Sequence, residues 1–250
     1  MDGDCRRLSH DDVARALREL DPAELFTTEP RAAAADQQWT VELNDELALL
    51  RDPDGVSVAS FAAADLRACW YACLTVLAAR ALLVPTVITA AVLGSGPAAR
   101  LLCGALARHL PNLSQLAIHS VDARLAAEFA AAGVDLSIAP STADAVFGAS
   151  LVVVMDELSA LPGVHASMGA VVVNASDREL VHELANGIAE EYAEAELRQV
   201  LAGAHPGRTR PDDVLLVDLT GAATPDVALA LAIHRITNRL DIDSPTTASH

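Results

Sequence analysis

The sequence contains no lysine, and all 17 of its basic residues are arginines. A Schiff base, a pyridoxal phosphate anchor, the lysine of a phosphate-binding P-loop and a lysine general base all need an amine that this chain lacks. Mechanisms that depend on a lysine side chain are therefore excluded.

Aromatic residues are also scarce: they make up 3% of the 250 residues, whereas 52% of the residues are hydrophobic. The core must therefore be built from Ala, Leu and Val. This composition favours helices packed against β-branched strands over an all-β sandwich. We expect an α/β fold.

The four cysteines form no CxxC pair and have no histidine at zinc-ligand spacing, so we predict no metal site and buried thiols typical of a reducing cytoplasm. Acidic residues outnumber basic ones by 34 to 17, giving a net charge of −17. Because this charge repels phosphate backbones and anionic lipid, neither nucleic acid nor a membrane is an expected partner. The N-terminus lacks the apolar segment of a secretory signal, and Arg80 interrupts the longest apolar stretch. We expect a cytoplasmic protein.

Beyond residue 85 the chain repeats a unit of strand and helix. The patterns predict strands at 87–93, 115–119, 136–139, 150–155, 170–174 and 214–219, and helices at 98–109, 123–132, 142–147, 178–187 and 192–202. The fully apolar runs LVVV and AVVV are typical of strands buried on both faces of a parallel sheet. Residues 86–220 are therefore predicted to form a Rossmann-like doubly wound parallel sheet. On its last helix the acidic residues are expected to form a solvated face: Glu190, Glu191, Glu194 and Glu196.

The first 85 residues carry a different pattern. Ser9 is expected to cap a helix from Asp11 to Leu20, and a long apolar helix is predicted over 65–83. Between them, alternating residues around the turn at 52–55 predict a β-hairpin. Residues 1–85 and 221–250 are expected to form a second, smaller, discontinuous α+β domain. Because the hairpin edge would need a cover, we expect a homodimer.

The segment Gly94-x-Gly96-x-x-Ala99 stands where the predicted strand at 87–93 turns into a helix. In this context Gly94 permits a tight turn, Gly96 lets the backbone approach a pyrophosphate, and the small Ala99 allows close packing of the helix. The pattern predicts dinucleotide binding, with Ser95 and Ala98 as further cofactor-binding residues. The alternative is a plain tight turn between a strand and a helix. Valine at Gly96 is expected to weaken binding by about tenfold or more while leaving the fold largely intact.

The choice between NAD and NADP depends on the end of the next strand, where an acidic side chain reads the ribose hydroxyls. This strand ends at Ser120, and Asp122 follows two residues later. Ser120 would accept either cofactor, whereas Asp122 would reach the hydroxyls only through a bent loop. The sequence therefore leaves NAD and NADP open.

Three segments follow one another with a characteristic order and spacing: the run LALLRDPDGVSVASFAAADLRACWYACLTVLAARAL, then GSGPAAR, then DDVLLVDLTGAATPDVALALA. Together they resemble the ornithine cyclodeaminase and mu-crystallin family over about Leu47 to Ile236. The resemblance implies that Arg67 holds the substrate carboxylate and that Asp226 is the catalytic aspartate. It also implies an NAD(P)-dependent oxidoreductase acting on a C–N bond of a small amino or imino acid, and a homodimer.

Both residues also have structural interpretations. Arg67 could pair with Asp65 or Glu46 on the protein surface, and Asp226 could simply stabilise the start of a helix.

The chain also departs from the family pattern. The family's active-site lysine has no counterpart, and Met155-Asp156-Glu157 stands where the family carries small residues and threonine. A true ornithine cyclodeaminase reaction is therefore disfavoured relative to other C–N oxidoreductions. Asn174, at the end of a later strand, is retained and is predicted to bind the cofactor. The alternative function is a degenerate, non-catalytic member that binds a cofactor or acts as a subunit of a partner protein.

Overall fold

The computed structural model describes residues 5–27, 38–84, 87–118, 129, 133–155, 166–176, 188–222 and 227–243. The chain forms two compact units, one of Met1–Trp70 with Thr224–His250 and one of Tyr71–Ala223. The first unit is discontinuous. The division between the units falls inside a long helix and not near residue 85.

The described helices are α1 (His10–Glu19), α2 (Glu24–Thr27), α3 (Ala63–Leu82), α4 (Gly96–His109), α5 (Thr142–Val146), α6 (Glu194–Leu201) and α7 (Val227–Asp243). The described strands are β1 (Arg6–Arg7), β2 (Thr40–Leu43), β3 (Leu47–Arg51), β4 (Ser57–Ala62), β5 (Ile88–Leu93), β6 (Leu113–Ile118), β7 (Asp135–Ile138), β8 (Leu151–Val154), β9 (Val171–Asn174), β10 (Ile188–Ala193) and β11 (Val214–Asp218).

The first unit is built on a four-stranded sheet in the order β1-β4-β3-β2. The predicted hairpin is present as β3 and β4, and its turn is held by the Asp52 carboxylate, which accepts hydrogen bonds from the N–H groups of Asp54 and Val56 at 3.0 and 2.8 Å. Both strands of the hairpin have a partner on their other side, since β2 pairs with β3 and β1 pairs with β4. Among the described strands, the longer edge strand of this sheet is therefore β2 and not a strand of the hairpin.

The cap predicted for α1 is also present. The Ser9 hydroxyl accepts a hydrogen bond from the Asp12 N–H, and the Asp12 carboxylate accepts one from the Ser9 N–H. This reciprocal pair is a capping box, which satisfies two of the N–H groups that a helix leaves without partners at its start.

The second unit contains a seven-stranded sheet in the order β10-β11-β9-β8-β5-β6-β7, and all of its neighbouring strands are parallel. The chain enters at β5 in the middle, proceeds to β6 and β7 on one side, and then crosses to β8 on the other side of β5. The predicted Rossmann-like doubly wound sheet is therefore confirmed. Every residue of β8 and β9 is buried, as expected for strands covered on both faces.

Helix α3 is apolar around most of its circumference, and most of its side chains are buried, including Trp70, Leu74 and Leu77. The described part of the chain has no helix both apolar enough and long enough to cross a bilayer.

The acidic run near residue 190 differs from the prediction. Glu190 and Glu191 lie on strand β10, and helix α6 begins only at Glu194. Glu194 is buried, accepts a hydrogen bond from Arg198 Nε at 2.9 Å and forms an ion pair with its Nη2 at 2.7 Å. Burial alternates along β10: Tyr192 is buried, Glu190 on the same side is half-buried, and Glu191 is exposed, a pattern typical of a half-covered edge strand.

Candidate functional site

The candidate site lies at the carboxyl edge of the seven-stranded sheet, where β5 and β8 lie side by side. Leu93, the last residue of β5, pairs with Val154, the last residue of β8. The chain leaves β5 toward β6 on one side, whereas β8 continues toward β9 on the other. Such a switch in strand order opens a crevice at the strand ends, and this is where doubly wound sheets bind their ligands.

Gly94 allows the ends of β5 and β8 to approach each other closely. A Cβ atom at this position would lie 2.8 Å from the Cβ of Met155, closer than real side chains come. The same atom would lie 3.7 Å from the Cβ of Ala99, in the first turn of α4. Gly94 is therefore needed for the packing of the strand ends against each other and against the helix.

Gly96 has a different role, because it faces open space. Its φ of +73° lies in the left-handed region, and a Cβ there would meet no atom within 4 Å. The turn around it is compact: Gly94, Ser95, Gly96, Ala98 and Ala99 all lie between the end of β5 and the first turn of α4, and Ala99 is buried. The predicted cofactor residues of this segment are thus brought together.

The side chain of Ser95, the residue before helix α4, makes no capping hydrogen bond to the start of the helix. The first turn of α4 contains no acidic residue. By contrast, Ser9 caps α1, and Ser141 caps α5 by accepting from the N–H of Asp144. The first turn of α4 therefore offers backbone N–H groups and the positive end of a helix dipole, and no carboxylate within that turn competes for them.

Two strands along, β9 and β11 end in a group of polar side chains. Asn174 is fully buried, and its amide nitrogen donates to the Asp218 carboxylate at 2.9 Å and to the Thr220 hydroxyl at 2.8 Å. Its amide oxygen accepts from the N–H and the hydroxyl of Ser176 at 3.2 and 2.7 Å. The sequence indicated Asn174 alone, because Asp218 and Thr220 lie 44 and 46 residues further along the chain. Polar residues directly after two buried strands are the signal that could have identified the whole group.

The remaining predicted site residues are distributed differently. Ser120, Asp122 and Asp226 lie outside the described residues. Arg67 lies on α3 and is exposed, and within the described part of the chain its guanidinium forms no ion pair. Asp65, one of its two predicted surface partners, instead binds His10 through a 2.8 Å contact between the carboxylate and Nδ1.

Among the described residues, no three or more His, Cys, Asp or Glu side chains come together as a metal site would require. A cavity of about 300 Å³ opens between α5 and strands β5 to β7, and its lining includes Gln115, Ser137 and Phe147. None of the described cofactor residues lines that cavity.

The contact at Gly94 predicts the outcome of a substitution. Gly94→Ala should lower the free energy of unfolding by about 1 to 3 kcal/mol, because the added Cβ overlaps the Cβ of Met155. Met155→Ala in the same chain should not restore stability, since alanine keeps that atom, whereas Met155→Gly should restore part of it. Urea denaturation of these three variants and the wild type measures the difference. Equal stability of Gly94→Ala and the wild type would contradict the close approach.

No family model matches the chain. Comparison with solved structures, in contrast, identifies the class of its fold. Among solved structures, its fold is that of ornithine cyclodeaminases and related reductases, which confirms the resemblance at the level of the fold.

Individual structures are similar over nearly the whole chain. A probable ornithine cyclodeaminase from Bordetella pertussis Tohama I aligns with a TM-score of 0.67 and 18% identity, covering 94% of this chain and 98% of that one. The Δ1-pyrroline-2-carboxylate reductase of Thermococcus litoralis, in complex with NADH and L-proline, aligns with a TM-score of 0.64 and 14% identity, covering 94% and 95%. At these low identities, the TM-scores show a shared fold.

Two curated proteins match the sequence over short segments of 63 and 64 residues. An uncharacterized cyclodeaminase of Sinorhizobium fredii, y4tK, is 44% identical over 63 residues, which is 24% of this chain and 19% of that protein. The matched segments span about a fifth of the length of the curated relatives.

Proposed function

We propose that the protein is an NAD(P)-dependent oxidoreductase that acts on a C–N bond of a small amino or imino acid. The observation that carries this proposal is the turn from Gly94 to Ala99, which lies at the switch point of the sheet with an uncapped helix start and open space above Gly96. These features fit a pyrophosphate, which needs backbone N–H donors and room for close approach.

Each residue of the turn has a part in the proposed cofactor site. Gly96 leaves space for the phosphates, Ser95 and Ala98 present backbone groups beside them, and Ala99 keeps the helix close to the strand end. Ser120 and Asp122 are proposed to contact the adenosine ribose, with NAD and NADP both open. When bound, the cofactor would supply hydride transfer, and the protein would bind, orient and protonate the substrate.

We propose Arg67 as the group that binds the substrate carboxylate. Its exposure and its lack of an ion pair within the described residues support this role, because a guanidinium fork binds a carboxylate through two parallel hydrogen bonds. Asp226 is proposed, from the family resemblance, to stabilise an iminium or relay a proton. Hydride transfer to or from a C–N bond requires no lysine, which suits a chain that has none.

Similar structures support the ligand class. The Thermococcus litoralis reductase is described in complex with NADH and L-proline, and a lysine cyclodeaminase of 16% identity and TM-score 0.65 is described as recognising L-lysine, L-ornithine and L-2,4-diaminobutyric acid. Small amino acids and their cyclic imines are therefore the substrates to test.

A substrate panel tests the proposed activity. Purified protein is incubated with NADH or NADPH and a set of cyclic and open-chain imino acids, and loss of nicotinamide absorbance is followed; amino acids with the oxidised cofactors test the reverse direction. We expect turnover of at least one carboxylated substrate, and a raised KM in Arg67→Leu, with Arg18→Leu on the exposed side of α1 as the control. Binding of cofactor without turnover on the whole panel would favour the non-catalytic alternative.

We also propose that the protein is a cytoplasmic homodimer. Among the described strands, β2 pairs on one side only, and this edge supports the dimer because such an edge is a ready site for pairing with a second copy. Cys69, Cys73 and Cys103 form no disulfide and are buried, which suits a reducing compartment, whereas Cys5 is exposed and differs from the expectation of buried thiols. Light scattering at micromolar concentration should give the mass of a dimer, and proline at Val41 on β2 should shift it toward the monomer. A monomeric wild type would contradict the proposed dimer.

A further inference from the structure

The polar group at the ends of β9 and β11 forms one connected network. In addition to the bonds made by Asn174, the Thr220 N–H donates to the Asp218 carboxylate at 2.9 Å, and the Thr220 hydroxyl donates to the Ser176 carbonyl at 3.4 Å. The network thus joins the segment after β9 to the segment after β11. Asn174 and Ser176 are buried and Asp218 and Thr220 are half-buried, and hydrogen-bonded networks in such surroundings restrict the arrangement of their members.

Asn174 has no hydrogen-bonding capacity left for a ligand. A primary amide has two N–H donors and two acceptor positions on its oxygen. The donors are used by Asp218 and Thr220, and the acceptor positions are used by the two groups of Ser176. Direct cofactor binding by the Asn174 side chain, as predicted from the sequence, would require breaking a bond of the network.

The network lies on a definite side of the turn from Gly94 to Ala99. Asn174 pairs with Val154, and Val154 pairs with Leu93, so β9 is the second strand from β5. With neighbouring strands about 4.8 Å apart, the network begins about 10 Å from the end of β5. In doubly wound sheets the adenosine ribose is read at the end of the strand on the other side, here β6. The opposite half of a dinucleotide therefore extends over β8 and β9.

We infer that Asn174 is a positioning residue for the nicotinamide half of the cofactor. It fixes Asp218 and Thr220 at the carboxyl edge through its own hydrogen bonds, without touching the ligand itself. This inference rests on the proposed function, because it assumes that a dinucleotide binds at Gly94 to Ala99. It predicts that disturbing Asn174 weakens binding of the whole dinucleotide but not of its ADP half.

A charge-conserving swap provides the test. Asn174→Asp removes both N–H donors of the amide and places a second carboxylate beside Asp218. In the double variant Asn174→Asp with Asp218→Asn, the new amide at position 218 can donate to the new carboxylate at position 174. The double variant has the same net charge as the wild type. The Thr220 and Ser176 hydroxyls can rotate to donate to the new carboxylate. Calorimetric titration measures the Kd of the preferred reduced dinucleotide and that of its adenosine fragment: ADP for NADH, or 2′-phosphorylated ADP for NADPH.

The expected result has three parts. Asn174→Asp should raise the Kd of the dinucleotide by at least about tenfold, leave the Kd of the adenosine fragment within about twofold of the wild type, and lose most of its dinucleotide defect when Asp218→Asn is added. The unchanged affinity for the fragment also shows that the variant is folded at the edge of the sheet. If Asn174→Asp does not fold, Thr220→Val, which removes one partner of Asn174, is measured in the same way and should weaken only the dinucleotide.

The other outcomes separate the two proposals. If the wild type binds the dinucleotide and Asn174→Asp binds it equally well, the positioning role is overturned and the proposed function stands. The positioning role is also overturned if Asn174→Asp loses affinity for the dinucleotide and the fragment equally. It is overturned as well if adding Asp218→Asn does not restore the affinity for the dinucleotide. If the wild type binds neither the fragment nor a dinucleotide, the proposed function fails, and this inference fails with it.

Discussion

Replacing Gly96 with alanine should weaken binding of NADH or NADPH by at least about tenfold, equivalent to about 1.4 kcal/mol. The added Cβ would occupy the open space above the turn, where the pyrophosphate is proposed to approach the backbone. The φ of +73° also strains any residue with a Cβ, at a cost to folding of about 1 kcal/mol. Valine, which is β-branched, would be more strained still, so alanine is the better probe.

Gly203→Ala is the matched control for this strain. Gly203 follows α6 with a φ of +70°, and a Cβ there would also meet no atom within 4 Å. Both variants should therefore lose similar folding stability in urea denaturation, but only Gly96→Ala should lose dinucleotide affinity. Equal affinities in the two variants would mean that dinucleotide binding, if present, takes place elsewhere.

Replacing Arg208 with alanine should lower the free energy of unfolding by about 3 kcal/mol. The guanidinium donates hydrogen bonds to backbone carbonyl oxygens of three separate segments. Nε donates to the carbonyl of Leu82 at 2.6 Å, Nη2 donates to that of Gly169 at 2.8 Å, and Nη1 donates to that of Asp213. Burial lowers the pKa of Arg208 below its ordinary value, and the carboxylate of Asp213 acts in the opposite direction. Removing the guanidinium leaves three partly buried acceptors without this donor, at about 1 kcal/mol each.

Arg210→Ala is the control for that substitution. Arg210 is exposed two residues away, and losing its side chain should change stability by no more than about 0.5 kcal/mol. Urea denaturation followed by circular dichroism compares both variants with the wild type. If Arg208→Ala is as stable as Arg210→Ala, the three segments do not depend on this guanidinium.

Short sequence patterns predicted those parts of the fold that depend on neighbouring residues. The strand before Gly94, the glycine spacing, the Ser9 cap and the turn at Asp52 each depend on residues within a few positions, and each lies where it was predicted. The parallel direction of the strands was predicted from the apolar runs and from the repeated units of strand and helix.

Contacts between distant residues could not be predicted in this way. Asn174 was identified as a strand-end residue, but its partners Asp218, at the end of β11, and Thr220, just beyond it, are distant in the sequence and were not predicted. The acceptor of Arg208 on Leu82 is 126 residues away and is a backbone atom that no side-chain pattern reveals. Glu190 was expected on the solvated face of a helix, whereas pairing with β11 makes it part of a strand.

The central claim is that the turn from Gly94 to Ala99 binds a nicotinamide dinucleotide. The most direct measurement is a titration of the wild-type protein with NADH and with NADPH, followed by the fluorescence of the reduced nicotinamide, with ADP or its 2′-phosphorylated form as competitor. The account predicts saturable binding of at least one dinucleotide, displaced by the matching adenosine fragment. Absence of binding by both dinucleotides at millimolar concentration would contradict it and leave the turn with a structural role only.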